Sequence, residues 1–359
     1  MRHCEWTRRA TTRANRAASW HHRGMHKLSS ALLLVAVTGC GGASEEGDAG
    51  RDAGPVARDA LATQPDAASF DSGPRADAGS MSIRGGDVSG NWCGTIDVAG
   101  SVTVPLGSAL SLCAGARVRF ASGVGMTVNG TLALPGAREL PITLDAEERW
   151  LGLVVSGTVD GAFVNITHAN QAVEGRAGSV ITLNDSAITA SGATLRLANG
   201  GTFDRSAIRG GSTVFITGGM LRMRDSILDL EHDTLTPDCT DWTSGGAILD
   251  HVRFTGCHCP IHIVHSSLEF TITNSILDGA TNPVMIADSV ATFTNNDFIG
   301  TSSLVLDIGA GRSGIECNLA SNYWEGPMGN VAQVGTSNPR QFTGQDVVLA
   351  ARVPGAGPR

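Results

Sequence analysis

Between Asp229 and Trp242 the chain sets Glu231, His232, Asp233, Asp238, Cys239, Asp241 and Trp242 within fourteen residues. Carboxylates beside an indole suit two kinds of chemistry. The ring can stack on a sugar face while the acids take its hydroxyls, or the acids can hold a cation. His232, Asp233, Asp238, Asp241 and Trp242 are therefore the candidate ligand-binding residues. The competing reading is a solvated acidic loop stapled by Cys239, with Trp242 packed on the protein. Glycosidase chemistry would need two carboxyls about 5–9.5 Å apart. A second set, Cys257, His258, Cys259 and His262 with His251 and His265 nearby, has zinc-like residue types. Cys257 and Cys259 fall on one face of a strand and His258 on the other, so the set reads as disulfide cysteines and surface histidines. No metal site and no catalytic residue is assigned. No cofactor is implied, with calcium the one ion left open.

The element that positions the acidic stretch is a repeat. One phrase recurs six times: LNDSAI (183–188), FDRSAI (203–208), MRDSIL (223–228), LDHVRF (249–254), ITNSIL (272–277) and FTNNDF (293–298). Its last residues fall 20, 20, 26, 23 and 21 positions apart. A period near twenty marks a stacked solenoid in which no repeat buries its apolar face alone. The predicted fold is all-β, a right-handed parallel β-helix of roughly eleven or twelve coils. The 26-residue interval holds about six extra residues, and insertions in a solenoid project as loops, often on the binding face.

Aligned, the copies become columns. The first (Leu183, Phe203, Met223, Leu249, Ile272, Phe293) and the last (Ile188, Ile208, Leu228, Phe254, Leu277, Phe298) are wholly apolar, as stacked inward residues must be. Two before the last stand Ser186, Ser206, Ser226, Val252, Ser275 and Asn296. Buried on the same face, this column must hydrogen-bond between coils. Two after the last, Gly210, Gly256, Gly279 and Gly300 suit a repeated corner with positive φ. Asp185, Arg205 and Asp225 alternate in sign up one column, and Asn184, Asp204, Arg224 and Asp250 occupy the next, which predicts charge ladders between coils rather than a catalytic set.

Ahead of the repeats the composition changes twice. Lys27, the apolar run 31–37 and Val37-Thr38-Gly39-Cys40 have the order of a bacterial lipoprotein signal, with initiation at Met25 and Cys40 as the lipidated residue. The run is shorter than the ~20 residues that span a bilayer. Gly41 points to the outer membrane or cell surface. Residues 40–84, with repeated Asp-Ala-Gly and interspersed Pro, form a tether without a core, spanning about 35 Å by random-coil scaling. The division is thus 1–39 signal region, 40–84 tether, 85–350 β-helix and 351–359 tail. Residues 1–39 hold seven of the 26 basic and one of the 34 acidic residues, which leaves 19 against 33 beyond them, with no lysine. That balance excludes nucleic acid as a partner, since phosphate demands cations. It leaves the membrane through the anchor, and a polysaccharide or surface protein, for a chain expected to be monomeric.

The cysteines beyond Cys40 lie in a disulfide-permissive compartment on this reading. Cys93 and Cys113 stand twenty apart, one coil, and Cys239 stands 18 and 20 before Cys257 and Cys259. These five are the candidate disulfide residues, their pairing open. Cys317 is expected to stay unpaired.

The opening of the domain carries a resemblance. Gly100-Ser101-Val102-Thr103-Val104-Pro105, Leu110-Ser111-Leu112, the run 115–120, Val128-Asn129-Gly130-Thr131-Leu132, Pro141-Ile142-Thr143-Leu144 and Trp150-Leu151-Gly152-Leu153 follow in the order of secreted β-helix proteins. Asn322-Tyr323-Trp324-Glu325-Gly326 is similar to the Asn-Trp-Trp-Gly signature of their last coils, with Tyr for Trp and Glu325 inserted. The chain, over about residues 88–330, resembles the pectin-lyase-like superfamily, which implies the right-handed β-helix but no single activity. The Asn-Thr-Asp, Asp-Asp, Gly-His-Gly and Arg-Ile-Lys segments of its pectin hydrolases do not occur here. The expectation is an envelope lipoprotein displaying a non-catalytic binding or structural module for glycan or protein. The alternative is a polysaccharide lyase or glycoside hydrolase acting through Asp233, Asp238 and Asp241.

Overall fold

The computed structural model describes residues 80–211, 213–230, 240–256, 260–264, 268–279, 284–287, 289–300, 305–307, 317–325, 332–334, 342–343 and 348–359. Cys40, His232, Asp233, Asp238, Cys239, Cys257 and Cys259 lie outside them. The described residues contain strands and turns and no helix. Every paired strand is parallel to its neighbours, and each pairs with strands about one coil away in sequence: a parallel β-solenoid.

Each coil contributes one strand to a ten-stranded sheet and two more to a larger sheet of 23 strands that covers two further sides. Ten strands in file, from Gly86–Asp87 to Val284–Ala287, make nine turns. Roughly eleven or twelve coils were expected; beyond these nine turns Val305–Asp307 and Ala332–Val334 pair with each other as a separate two-stranded sheet. The first strand is Met81–Ile83, four residues ahead of position 85.

Alternation within strands decides what is buried. In Thr95–Val98, Ala109–Leu112 and Ile142–Ala146 every second residue points inward, so Ile96, Val98, Leu110, Leu112, Ile142 and Leu144 stack in one apolar core. Each fully buried side chain of this size contributes about 1.5–3 kcal/mol. Both apolar columns of the repeat are inside. Aromatic rings stack along the axis: Phe120 lies on Trp150 at 4.2 Å and Phe298 on Trp324 at 3.8 Å.

The serine and asparagine column forms the expected ladder. The backbone N–H of Val164 donates to Ser186 Oγ, that of Ser186 to Ser206 Oγ and that of Ser206 to Ser226 Oγ, at 3.0–3.1 Å. It resumes from Val252 N–H to Ser275 Oγ, then runs to Asn296 Oδ1 and Asn322 Oδ1 at 2.8–3.0 Å. Val252 offers no acceptor, so the file skips one step. Before each ladder residue the chain turns through a left-handed residue: Asp185, Arg205, Asp225, His251, Asn274 and Asn295 all have φ of 50–57°. Gly210, Gly256, Gly279 and Gly300 have positive φ at the opposite corner, as expected. The charge ladder is present. Arg205 binds Asp185 through both nitrogens at 2.8 and 2.7 Å, and Arg224 lies 3.6 Å from Asp204. The Arg205 guanidinium holds the Asp185 carboxyl below the usual range.

Cys93 and Cys113 form a disulfide between the first two coils, Cα atoms 4.9 Å apart. Cys317 is free, buried, and pushed to a high pKa by burial.

Candidate functional site

Parallel register turns the middle residue of each strand in the ten-stranded sheet into an outward file. Thr103 stands beside Thr127, Thr127 beside Val154, Val154 beside Glu174, and Glu174 beside Arg196. Arg196 is followed by Phe215, Phe215 by Asp241, and Asp241 by His262. The residues flanking this outward line are inward and apolar: Leu195 and Leu197, Val214 and Ile216, Ile261 and Ile263. A guanidinium, a half-buried phenyl ring, a carboxylate and an imidazole thus follow one another at the ~4.8 Å rung spacing.

Asp241 Oδ1 lies 3.7 Å from His262 Nδ1, each side chain 22% exposed. Glu174 accepts from Gln171 and Arg176, both at 3.4 Å. From Glu174 to Asp241 is three rungs, about 14 Å, wider than the carboxyl pair of a glycosidase.

Leu230 and Thr240, on either side of residues 231–239, are both buried, and Thr240 opens the strand that carries Asp241. Thr240 Oγ1 donates to the Pro260 carbonyl of the next coil. Of the five residues singled out from sequence, Asp241 stands on the outer face and Trp242 turns inward beside it. Trp242 is 0% exposed and meets Phe270 edge-on at 4.9 Å. Of the two readings of Trp242, this position fits the indole packed on the protein rather than stacked on a sugar, because alternation puts Thr240 and Trp242 inside and Asp241 outside. The aromatic in the outward file is Phe215, half-buried. Arg196 and Phe215 were legible only by stacking the middle residues of successive short strands, and His262 stood out in sequence only among the zinc-like residue types.

A second polar cluster lies on the larger sheet. Asp145 Oδ1 accepts from Thr167 Oγ1 at 2.6 Å, from the Ala146 N–H at 2.8 Å, and meets His168 Nδ1 at 2.7 Å, while Arg117 reaches Oδ2 at 3.3 Å. Thr167 and His168 sit in a β-bulge between Ile166 and Ala169, and His168 has φ of 53°. Trp150 fixes the bulge, its Nε1–H donating to the Thr167 carbonyl at 2.7 Å and its N–H to that of His168 at 3.1 Å. Burial pulls Asp145 upward, but the hydrogen bonds outweigh it and hold its carboxyl at about 2. Nothing in the columns of the repeat signals this bulge, which precedes the first phrase.

Among the described residues no group of three or more histidines, cysteines or acids is arranged to hold a metal ion, and no helix is long and apolar enough to cross a membrane. Comparison with known proteins returns no matching family model, curated protein or solved structure.

Proposed function

We propose that this protein is a cell-envelope lipoprotein, anchored at Cys40, that holds out a right-handed β-helix of the pectin-lyase-like kind as a non-catalytic binding module. The order of Lys27, the apolar run and Cys40 supports the anchor, and the acidic Pro-containing segment supports a tether. The observation that carries the binding role is the file Arg196, Phe215, Asp241 and His262. An extended glycan lying along the solenoid axis would advance about one ring per rung. The Phe215 ring suits a sugar face, and Arg196, Asp241 and His262 suit its hydroxyls and any carboxylate. A surface protein is the other ligand class that such a mixed face fits. The insertion at 231–239 would border the bound chain, with His232, Asp233 and Asp238 as further contacts and calcium as a bridge to an acidic glycan.

The test uses the purified protein with plant, algal and bacterial polysaccharides, with and without calcium. Binding is read by affinity electrophoresis, and turnover by absorbance of unsaturated ends and by reducing sugar. Retardation without new ends, lost in Phe215→Ala and Asp241→Asn, is the expected result. New unsaturated or reducing ends would replace this reading with the polysaccharide lyase or hydrolase alternative. Neither retardation nor turnover would remove glycan as the ligand and leave a protein partner.

A further inference from the structure

Segment 350–359 does not continue the coils beyond Val348–Leu349. It runs back over the outside of the larger sheet, against strands 55 to 83 residues earlier. Arg352 Nε donates to Asp297 Oδ2 at 3.0 Å and the Val353 N–H to Asp297 Oδ1 at 2.7 Å. The chain then turns, with Ala356 N–H on the Val353 carbonyl, and Gly357 N–H donates to the Asn274 carbonyl at 2.8 Å. Between these ends lies Ile276, in register with Asp297 in the outward file of its sheet and yet only 9% exposed. Asp297 is likewise an outward residue, beside inward Phe298, and is only 2% exposed.

The contact is selective at two points. Both Asp297 oxygens are taken, one by a guanidinium and one by the next backbone N–H, which defines an arginine position. At the other end Gly357 has φ of +89°, and a Cβ there would stand 2.7 Å from Ile276 Cδ1, which defines a glycine position. It is also shallow. The Arg352 side chain remains 55% exposed, and Asp297 faces outward, so water can replace its partners once the segment leaves. The apolar side chain that release would uncover, Ile276, stands outside the central core cluster.

We propose that Asn274, Ile276 and Asp297 form a peptide-docking strip, and that segment 352–357 is its resident and displaceable occupant. The strip reads arginine at one end and glycine at the other, on a flank separate from the ten-stranded face. Two experiments test this. In the full chain, Arg352→Ala is expected to raise hydrogen exchange at Val353 and Gly357, whose N–H groups donate to the strip, at least tenfold with the coils unchanged. In a variant lacking residues 351–359, a synthetic peptide of that sequence is expected to bind saturably. The same peptide with Arg352→Ala or Gly357→Ala is expected to bind at least tenfold more weakly. Unchanged exchange in the full-chain variant would overturn the proposal, as would equal binding of the three peptides or none by a folded truncated protein.

Discussion

Asp145 shows how one side chain can be committed by its neighbours. Three groups converge on Oδ1 and Arg117 lies on Oδ2, so the carboxylate is favoured over the acid. The sign follows. The folded pKa, about 2, lies below the unfolded value of about 3.9. The stabilisation is therefore present above pH 4 and is lost as pH falls from 4 toward 2. Asp145→Asn is expected to lower stability by about 1.5–3 kcal/mol at neutral pH, the range for hydrogen bonds to a charged group. It should also flatten the dependence of thermal midpoint on pH between 4 and 2. A variant with an unchanged acid limb would show that the cluster does not titrate with folding. Asn296 makes a similar argument without charge. Its amide serves Ser275, the Ile272 carbonyl and Asn322 and is fully buried. Asn296→Ala strands several of those groups, for an expected loss of about 2–4 kcal/mol in denaturant melts. Loss under 1 kcal/mol would mean that the neighbouring coils re-pair.

At the scale of the element, the coil depends on its corners. Gly152 has φ of +101°, and a Cβ there would stand 1.6 Å from the Gln171 carbonyl oxygen. Gly152→Ala is expected to break that coil, read as rapid hydrogen exchange over Gly152–Val155 and Val173–Gly175. Protection equal to the parent protein would show that the backbone can shift to accept it. The glycine corner was legible in sequence because four of six copies carry glycine. The opposite corner was not. Its residues are Asp185, Arg205, Asp225, His251, Asn274 and Asn295, and only the asparagines and aspartates commonly adopt positive φ. There the inter-coil hydrogen bonds of the next residue impose the conformation on whatever precedes it. The columns gave the core, ladder and charge pairs because each is a property of stacking. The proposed binding face was harder, since its short strands contribute few outward residues each and no column of like residues marks it. Trp242 drew attention by type, while its direction was already written in its spacing from Thr240.

At the scale of the molecule, a solenoid is stabilised by neighbour on neighbour, so its tolerance of an insertion depends on the rung beneath. The extra residues of the long interval fall between Asp229 and Trp242, after the strand Met220–Asp229, and the next coil pairs with that strand through Gly246–Thr255. These are the two longest strands, ten residues each, and nine residue pairs stand in register between them. This is also the step where Val252 omits the side-chain rung of the ladder. Backbone pairing on both sides of the corner at Asp225 and His251 takes the place of that single bond. The connection through 231–239 is then not required to hold the coils together. The expected outcome is that a protease site placed between Asp233 and Asp238 can be cut with the two fragments remaining one particle in gel filtration. The thermal midpoint should fall by no more than a few degrees, because only the closure of a short loop is lost. Fragments that separate after cleavage would show that the register between those two strands is insufficient and that the insertion itself carries structural load. If they stay together, residues 231–239 are free to vary in length and chemistry over an unchanged rung, which the proposed binding role requires of them.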